Sequence, residues 1–541
     1  AGQTINVYCN FTTLATGTLA AGAGSTVAFR GILSQAVVNI LGTGNYQNVI
    51  IDKTGGMVSP LCDLTIEGNL TVSAGTYSPG GYISTVNGNV TNSATVSIPS
   101  GTFVVLGSYD ATSGATTFTG SGRLRLKGDC VYLGTFTKGT GTVEYNDTAN
   151  PRNVRPVNYY NLQINNGPQT ATLVGTTTAT NVTITTGTLA TAANSIAVSG
   201  NTSIPAGATL KVDAGSFDAN GPFTCNGAGG GVVRFDGNGL LELSSTVASL
   251  NISPNPATGT VKYNYTGGDH DVLVTNAAAP HYHHLEIDTG TRVASVPAAL
   301  TMAGNLTVTS GTFAVGDIDA LTVTGSTSVA AGAYLTVSTG RVDANGSFGA
   351  SGFVQLTAVG GRLYLGGTVS SLGTFSAASG SIVRYDSTAS DQSVQSVSYA
   401  HLEVQNSGGF TATAGGNFTV SGELRIDPAS AGAARFSVGS ATVTATGTAT
   451  INGGGTASTL IIDSGIFDAN GPFISNAGAV EFTPAGGGTL KLSNGSPTFS
   501  GTFTAGNGKV VYDDTTAGQA VRVLAYYNLE IAKNTQTATT D

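Results

Sequence analysis

The 541-residue sequence carries little charge. Only 9% of its residues are Asp, Glu, Lys or Arg, and the formal net charge is −9, whereas about a quarter of an ordinary soluble domain is charged. A weakly negative electrostatic field gives no reason to expect nucleic-acid binding. Disordered chains combine low hydrophobicity with high net charge, but 40% of this chain is hydrophobic. We therefore expect a folded protein with no nucleic-acid partner.

Other features are also missing. Trp is absent, Met occurs twice, and no apolar run reaches the ~18 residues that predict a membrane span. The sequence opens with Ala1-Gly2-Gln3 and lacks the basic and apolar regions of a signal peptide. Because Thr, Ser, Asn and Gly dominate over Lys and Glu, we expect a mature extracellular chain at the cell surface.

A short stretch recurs five times. Its copies are Tyr46-Gln47-Asn48-Val49, Tyr159-Tyr160-Asn161-Leu162, Tyr282-His283-His284-Leu285, Tyr399-Ala400-His401-Leu402 and Tyr526-Tyr527-Asn528-Leu529. Such a period predicts a repeat architecture. We divide the chain into a partial first unit with the N-terminal strand (1–60), units at 61–165, 166–288 and 289–405, and a last unit with the start of the next (406–541), all in one continuous solenoid.

Within each unit, short strands alternate with Gly-containing turns. Leu306, Phe313, Leu321, Val329 and Leu335 mark successive strand centres, and the residues between them are mostly Thr, Val and Ser, which favour strands over helices. Three strands make roughly 22 residues, which suits one coil of a right-handed parallel β-helix (β-solenoid) of about two dozen coils. The alternative is a series of tandem β-sandwich domains of about 120 residues each, but no linkers are visible.

A second recurring motif predicts a turn. Its residues are Asp218 and Asn220, Asp343 and Asn345, and Asp468 and Asn470, each in an Asp-Ala-Asn-Gly sequence. Asp can cap the local backbone, and Asn-Gly accepts a positive φ. Calcium binding by Asp218 and Asn220 is the alternative. It is less favoured because the copies lie too far apart in sequence to share an ion.

The motifs resemble a known group of proteins. Tyr-Tyr-Asn-Leu-x-Ile, Gly-Asn-Leu-Thr-Val at 68–72 and 304–308, Gly-Thr-Phe-x-Ala-Gly and Val-x-Tyr are similar to the Gly/Thr/Asn-rich repeats of secreted surface proteins of Bacteroidota-like bacteria. The resemblance implies β-solenoid stalks, adhesins or fibres. The triplets containing Thr148, Ser387 and Thr515 resemble that group's O-glycosylation sites, with a local side-chain-capped turn as the alternative.

Candidate sites for chemistry are few. His281, His283 and His284 could bind a metal, but His284 and His401 occupy the position that Asn fills in other copies, which favours a turn. Acidic residues look scattered, and none repeats beside Lys or Arg at coil spacing. No Gly-x-Ser-x-Gly elbow is present. We therefore expect no enzyme and no cofactor.

Two functions remain open. The first is a structural subunit of a filament, stalk or fibre that forms a homopolymer through uncapped ends, because the strand at Thr4 is in phase with that at Thr489 and no polar cap is visible. The alternative is an adhesin or carbohydrate-binding protein, which requires that aromatic residues such as Tyr46, Tyr282 and Tyr399 be exposed to bind glycans.

The four cysteines are predicted not to form regular pairs within the solenoid. Cys9, Cys62, Cys130 and Cys225 are separated by 53, 68 and 95 residues. A disulfide needs Cα atoms within about 7 Å, which in a solenoid means the same or an adjacent coil. Cys9 with Cys62 is the one exception we consider, and it would require the N-terminal strand to leave the stack and fold back along it.

Overall fold

The structure is a computed structural model that describes residues 2–13, 21–39, 46–226, 230–253, 258–274, 280–317, 320–427, 432–453, 457–516, 518–532 and 537–540. The described residues form strands and turns without any helix, so none of them forms a helical membrane span. Parallel strands stack as a β-solenoid of about 24 turns. The predicted all-β solenoid is therefore confirmed.

The chain divides into two compact units, 1–261 and 262–541. The strands of unit 1 are Thr4–Val7, Phe11–Thr13, Thr26–Gly31, Gln35–Asn39, Asn48–Pro60, Leu64–Ile66, Leu70–Tyr77, Ile83–Val86, Val90–Asn92, Thr95–Ser97, Thr102–Val105, Tyr109–Asp110, Ala115–Thr117, Arg123–Leu126, Cys130–Tyr132, Thr135–Thr137, Thr142–Tyr145, Arg152–Val154, Asn158–Leu173, Thr177–Ala190, Ser195–Val198, Thr202–Ile204, Ala208–Val212, Ser216–Ala219, Phe223–Cys225, Val232–Phe235, Leu240–Leu243 and Val247–Ser249.

The strand Thr260–Tyr263 contains the division between the units. The strands of unit 2 are His270–Asp271, His284–Val296, Leu300–Met302, Leu306–Val315, Leu321–Val323, Thr327–Val329, Tyr334–Val337, Arg341–Ala344, Phe348–Leu356, Arg362–Leu365, Val369–Ala377, Ile382–Tyr385, Gln392–Val394, His401–Val404, Ala412–Ala414, Phe418–Val420, Leu424–Ile426, Arg435–Ser437, Thr442–Ala445, Ala449–Asn452, Thr459–Ile462, Ile466–Ala469, Phe473–Asn476, Ala479–Phe482, Thr489–Leu492, Thr498–Phe499, Phe503–Thr504, Lys509–Tyr512, Gln519–Val521, Asn528–Ile531 and Ala538–Thr540.

Alternation of apolar and polar residues positions the core. In Leu321–Val323 the two apolar side chains are buried and Thr322 faces outward. Leu321 pairs with Val342 of the next turn, which pairs with Leu363. Turns stack about 4.8 Å apart. Because apolar residues pair with apolar residues from turn to turn, each unit has an apolar interior covered by polar outer faces.

The predicted Asp-Ala-Asn-Gly turn is wrong in two respects. The aspartates lie within strands, namely Asp218 in Ser216–Ala219, Asp343 in Arg341–Ala344 and Asp468 in Ile466–Ala469, and Asn220, Asn345 and Asn470 follow the strand ends. The glycine after Asn345, Gly346, does not have a positive φ. A Cβ on Gly346 would lie 2.2 Å from the carbonyl oxygen of Gly325 in the preceding turn, so glycine is required there by close approach.

Candidate functional site

One outer-face position of unit 2 collects charged and aromatic side chains over five successive turns. We call this set the Arg384 column: Asp343, Tyr364, Arg384, Glu403 and Arg425, each paired in register with the next. The interpretation that no acidic residue repeats beside Lys or Arg at coil spacing is therefore wrong. The sequence spacing between neighbours varies from 19 to 22 residues, so no fixed period marks the column.

Ion pairs fix the middle of the Arg384 column. Two nitrogens of the Arg384 guanidinium approach Glu403 Oε2. Nε donates a hydrogen bond at 2.8 Å, and Nη2 lies 2.7 Å away. Its Cζ is 4.0 Å from the ring centre of Tyr364. On the other side, Arg425 is 3.8 Å from Glu403 and 2.6 Å from Asp427. These contacts hold Arg384 in a single orientation between a carboxylate and an aromatic face.

Two carboxyl groups near the Arg384 column are harder to ionise than usual. Burial, reinforced by the charge of Asp343, raises the pKa of Asp386 to about 6. Burial also raises the pKa of Asp343, although Arg341 and Arg384 oppose this shift. Asp386 Oδ1 is buried and has no hydrogen-bond partner among the described residues. Asp386 can therefore change protonation in mildly acidic solution.

Unit 1 contains a smaller charged cluster of the same kind. Glu144 is almost fully buried at 1% side-chain exposure, and it accepts hydrogen bonds from Arg123 at 2.7 Å and Arg125 at 3.0 Å. Burial opposes its ionisation, but hydrogen bonds from Asn165, Arg123, Arg125 and Asn146 outweigh burial and lower the pKa of Glu144 to about 2. Through these hydrogen bonds, the Glu144 carboxylate holds neighbouring strands together.

The tyrosines expected to be exposed are buried, and that prediction is wrong. Tyr46, Tyr282 and Tyr399 are 1%, 0% and 1% exposed. None of the three rings presents a face on which a sugar could stack. The aromatic argument for an adhesin therefore loses its basis.

Tyr282 and Tyr399 instead belong to a hydrogen-bonded ring that is repeated inside the stack. The Tyr399 hydroxyl donates to the Gln395 carbonyl oxygen at 2.7 Å, the Gln395 N–H donates to Tyr385 Oη at 3.0 Å, and the two hydroxyls are 3.1 Å apart. The same arrangement recurs at Tyr145, Arg155 and Tyr159, at Tyr263, Leu273 and Tyr282, and at Tyr512, Arg522 and Tyr526.

His284 and His401 accept hydrogen bonds from backbone N–H groups. His284 Nδ1 accepts the backbone N–H of Asn305 at 2.9 Å, as His401 Nδ1 accepts that of Glu423. Asn48 Oδ1 accepts the backbone N–H of Asn69 in the same way. The predicted equivalence of these His and Asn positions is confirmed.

The proposed metal ligands are partly occupied by such bonds. His281 Nδ1 accepts the backbone N–H of Thr301 at 3.1 Å, and the rings of His283 and His284 are 4.3 Å apart. Burial lowers the pKa of both His281 and His284. Across the described ranges, no group of three His, Cys, Asp or Glu side chains could hold a metal ion.

The triplets with suggested O-glycosylation sites begin with capped turns. Asp147 Oδ1 accepts the backbone N–H groups of Ala149 and Asn150, and Asp514 and Ser387 act in the same way. Thr148 and Thr515 are exposed, but Ser387 is buried, so Ser387 is misplaced by one residue relative to the others. Thr388, which follows Ser387, is the exposed equivalent. Glycosylation of Thr148 and Thr515 stays a prediction.

None of the four cysteines forms a disulfide in the structure. Cys9 is exposed, Cys62 is half-buried, and the other two are buried. Burial raises the pKa of Cys130 to about 12 and that of Cys225 to about 11. The two buried thiols are therefore poor nucleophiles at neutral pH.

Comparison with protein-family models, curated proteins and solved structures finds no match for this chain.

Proposed function

We propose that the protein is an extracellular structural protein whose stacked turns add end to end into a filament, stalk or fibre. The observation that carries the proposal is how the polar groups are used. The hydrogen-bonded tyrosine pairs, the Asp147-type caps and the Asn48-type acceptors all bind backbone groups of the same or the neighbouring turn. Such devices stabilise a repetitive scaffold.

The strand Asn528–Ile531 has an edge that can accept a further turn. It pairs with Lys509–Tyr512 on one side, and Leu529 and Ile531 are 43% and 50% exposed. At the matching positions of an earlier repeat, Leu162 and Ile164 are 1% and 0% exposed, because the following turn pairs with them. A turn placed on this edge would bury the same apolar surface.

A second copy of the chain can supply that turn. Among the described residues, the strand Thr4–Val7 pairs only with Thr26–Gly31, and Ile5 is 46% exposed. Because the ladders are parallel, the edges of Thr4–Val7 and Asn528–Ile531 that no described residue pairs with are complementary to each other. Such a heterologous contact does not close on itself and generates an open filament.

Negative-stain microscopy and sedimentation velocity of the 541-residue protein test the proposal. We expect unbranched fibres whose length grows with protein concentration. Ile5→Lys and Leu529→Lys should each prevent fibre growth by placing a charge on one edge. Val174→Lys is the matched control, because Val174 is similarly exposed at 41% but lies away from both edges.

Mixing the two edge variants gives a sharper test. Each variant keeps one intact edge, so the mixture should form dimers and nothing longer. Protein that stays monomeric at the highest accessible concentration, with its β-sheet circular dichroism intact, would contradict the proposal. Fibres formed equally well by both edge variants would also contradict it.

A further inference from the structure

Two arginines lie side by side on neighbouring turns of unit 2. Arg341 and Arg362 are paired in register on the strands Arg341–Ala344 and Arg362–Leu365. Neither forms an ion pair with any described residue, whereas Arg384 nearby is paired with Glu403. Like charges directly opposite each other destabilise a sheet. The stack itself therefore gives no reason for this pair.

Arg341 has a hydrogen-bonding group that the protein leaves unused. Its Nε is buried and has no partner among the described residues, and its guanidinium lies 5.5 Å from the ring centre of Tyr364. Arg362 is exposed. A planar oxyanion group is the ligand that a guanidinium fork matches best, and its charge would offset the repulsion between the two arginines.

The surroundings suit a polymer that carries hydroxyl groups as well as charges. Thr322 and Thr301 precede Asp343 at the same outer-face position in the two previous turns. Val359, three residues before Arg362, is 71% exposed and offers apolar contact at the rim. The net charge of −9 disfavours a densely charged partner such as nucleic acid but permits a polymer with spaced charges.

We propose that Arg341 and Arg362 bind carboxylate or sulfate groups of an acidic polysaccharide, with Thr322 and Thr301 hydrogen-bonding to its hydroxyls. This site lies on the outer face of unit 2 and does not depend on end-to-end assembly. It differs from the tyrosine-based adhesin hypothesis, because the contacts are ionic and polar.

Two carboxyls next to the arginines make the binding pH-dependent. Asp343 and Asp386 oppose a bound anion when they are ionised. The charged groups that act on Asp386 are Asp343, Arg341 and Arg384, and the pKa of Asp386 is about 6. Below this pH Asp386 is neutral and its repulsion is lost. Binding of a sulfated polymer, which stays ionised, should therefore strengthen as pH falls through this range.

Calorimetric titration of the full chain tests the site with three polymers: polygalacturonate, dextran sulfate and uncharged dextran. We expect at least one of the two acidic polymers to bind and dextran not to bind; which acidic polymer binds identifies the anionic group. Arg341→Gln and Arg362→Gln should each weaken binding about ten- to hundredfold, as loss of a charged hydrogen bond predicts. Arg234→Gln, which removes an exposed arginine of unit 1, is the control and should leave binding unchanged.

Three results would overturn the proposal. They are no binding of either acidic polymer, equal loss in Arg234→Gln and Arg362→Gln, or an oligonucleotide that binds as tightly as the polysaccharides. Arg362→Lys, which keeps the charge at this exposed position but not the fork, should bind with intermediate strength and shows that the loss is not one of folding. Repeating the titration on Leu529→Lys, which blocks an assembly edge, separates this site from fibre formation.

Discussion

The ring formed by Tyr385, Tyr399 and the Gln395 backbone allows a direct test of what holds a corner of the solenoid in place. Tyr399 donates its hydroxyl proton to the Gln395 carbonyl oxygen, so between the two hydroxyls Tyr385 must be the donor. Tyr385 Oη also accepts the Gln395 N–H. Tyr385→Phe therefore removes two of the three hydrogen bonds and leaves the Gln395 N–H without its acceptor.

The expected cost is about 2–4 kcal/mol, the sum of one lost hydrogen bond and one backbone donor left unsatisfied. Solenoids unfold in segments, so the effect should be local. We expect amides of peptides within 385–399 to exchange hydrogen about 30- to 1,000-fold faster, as that free energy implies. Hydrogen exchange measured by mass spectrometry reports this directly. Peptides from unit 1 should be unaffected.

The matched control is Tyr527→Phe, because Tyr527 is 61% exposed and its hydroxyl should contribute nothing. The double variant Tyr385→Phe/Tyr399→Phe should cost less than the two single changes together, since both belong to one network. Unchanged exchange within 385–399 in Tyr385→Phe would refute the role given to the ring.

Three further predictions concern other repeat positions. Phe29 occupies the place of Tyr385 in the first repeat, and the buried Tyr46 hydroxyl lacks a partner among the described residues. Phe29→Tyr would supply that partner and should raise the free energy of unfolding by about 1 kcal/mol, measured by thermal unfolding. A lower stability would argue against it. Gly346→Ala should destabilise by at least about 1–3 kcal/mol through overpacking, whereas Gly316→Ala, which meets no atom within 4 Å, should not; equal urea midpoints would contradict this. Burial lowers the pKa of His284 below its usual 6.5. The unfolded state therefore binds the proton first, and stability should fall as pH drops below 6.5. His284→Asn should reduce this pH dependence, and an unchanged pH profile of urea unfolding would count against it.

The local pattern of the sequence is enough to predict the strands and their stacking. Leu321-Thr322-Val323 reads as one buried face and one polar face, and the structure has that arrangement. The comparison of repeats also identified the position shared by His284 and Asn48, because the same residue slot must accept the same backbone N–H. Local alternation and repeat alignment therefore carry most of the fold.

At the corners of the solenoid, the sequence pattern does not predict which residues are buried. In Tyr159-Tyr160-Asn161-Leu162 the first and last residues are buried and the two between are not. Strict alternation from Leu162 would place Tyr159 outside, but the corner before the ladder shifts the phase by one residue. Alternation alone therefore does not predict the burial of Tyr159. The Arg384 column was missed for a related reason, since turns of unequal length hide which residues become neighbours.

The distribution of the few charges separates residues that the fold needs from residues that it does not. In Val143-Glu144-Tyr145 and Val383-Arg384-Tyr385 the flanking side chains are buried, and the partner of the central residue lies in an adjacent turn. Opposite charges in adjacent turns, such as Arg384 with Glu403, then satisfy one another. Arg341 beside Arg362 departs from this pattern, because the two side chains repel each other and neither forms an ion pair with a described residue. The repulsion between these two arginines is not offset by an ion pair with any described residue of the stack. This is the physical reason to look for a bound anion at that position rather than elsewhere on the surface.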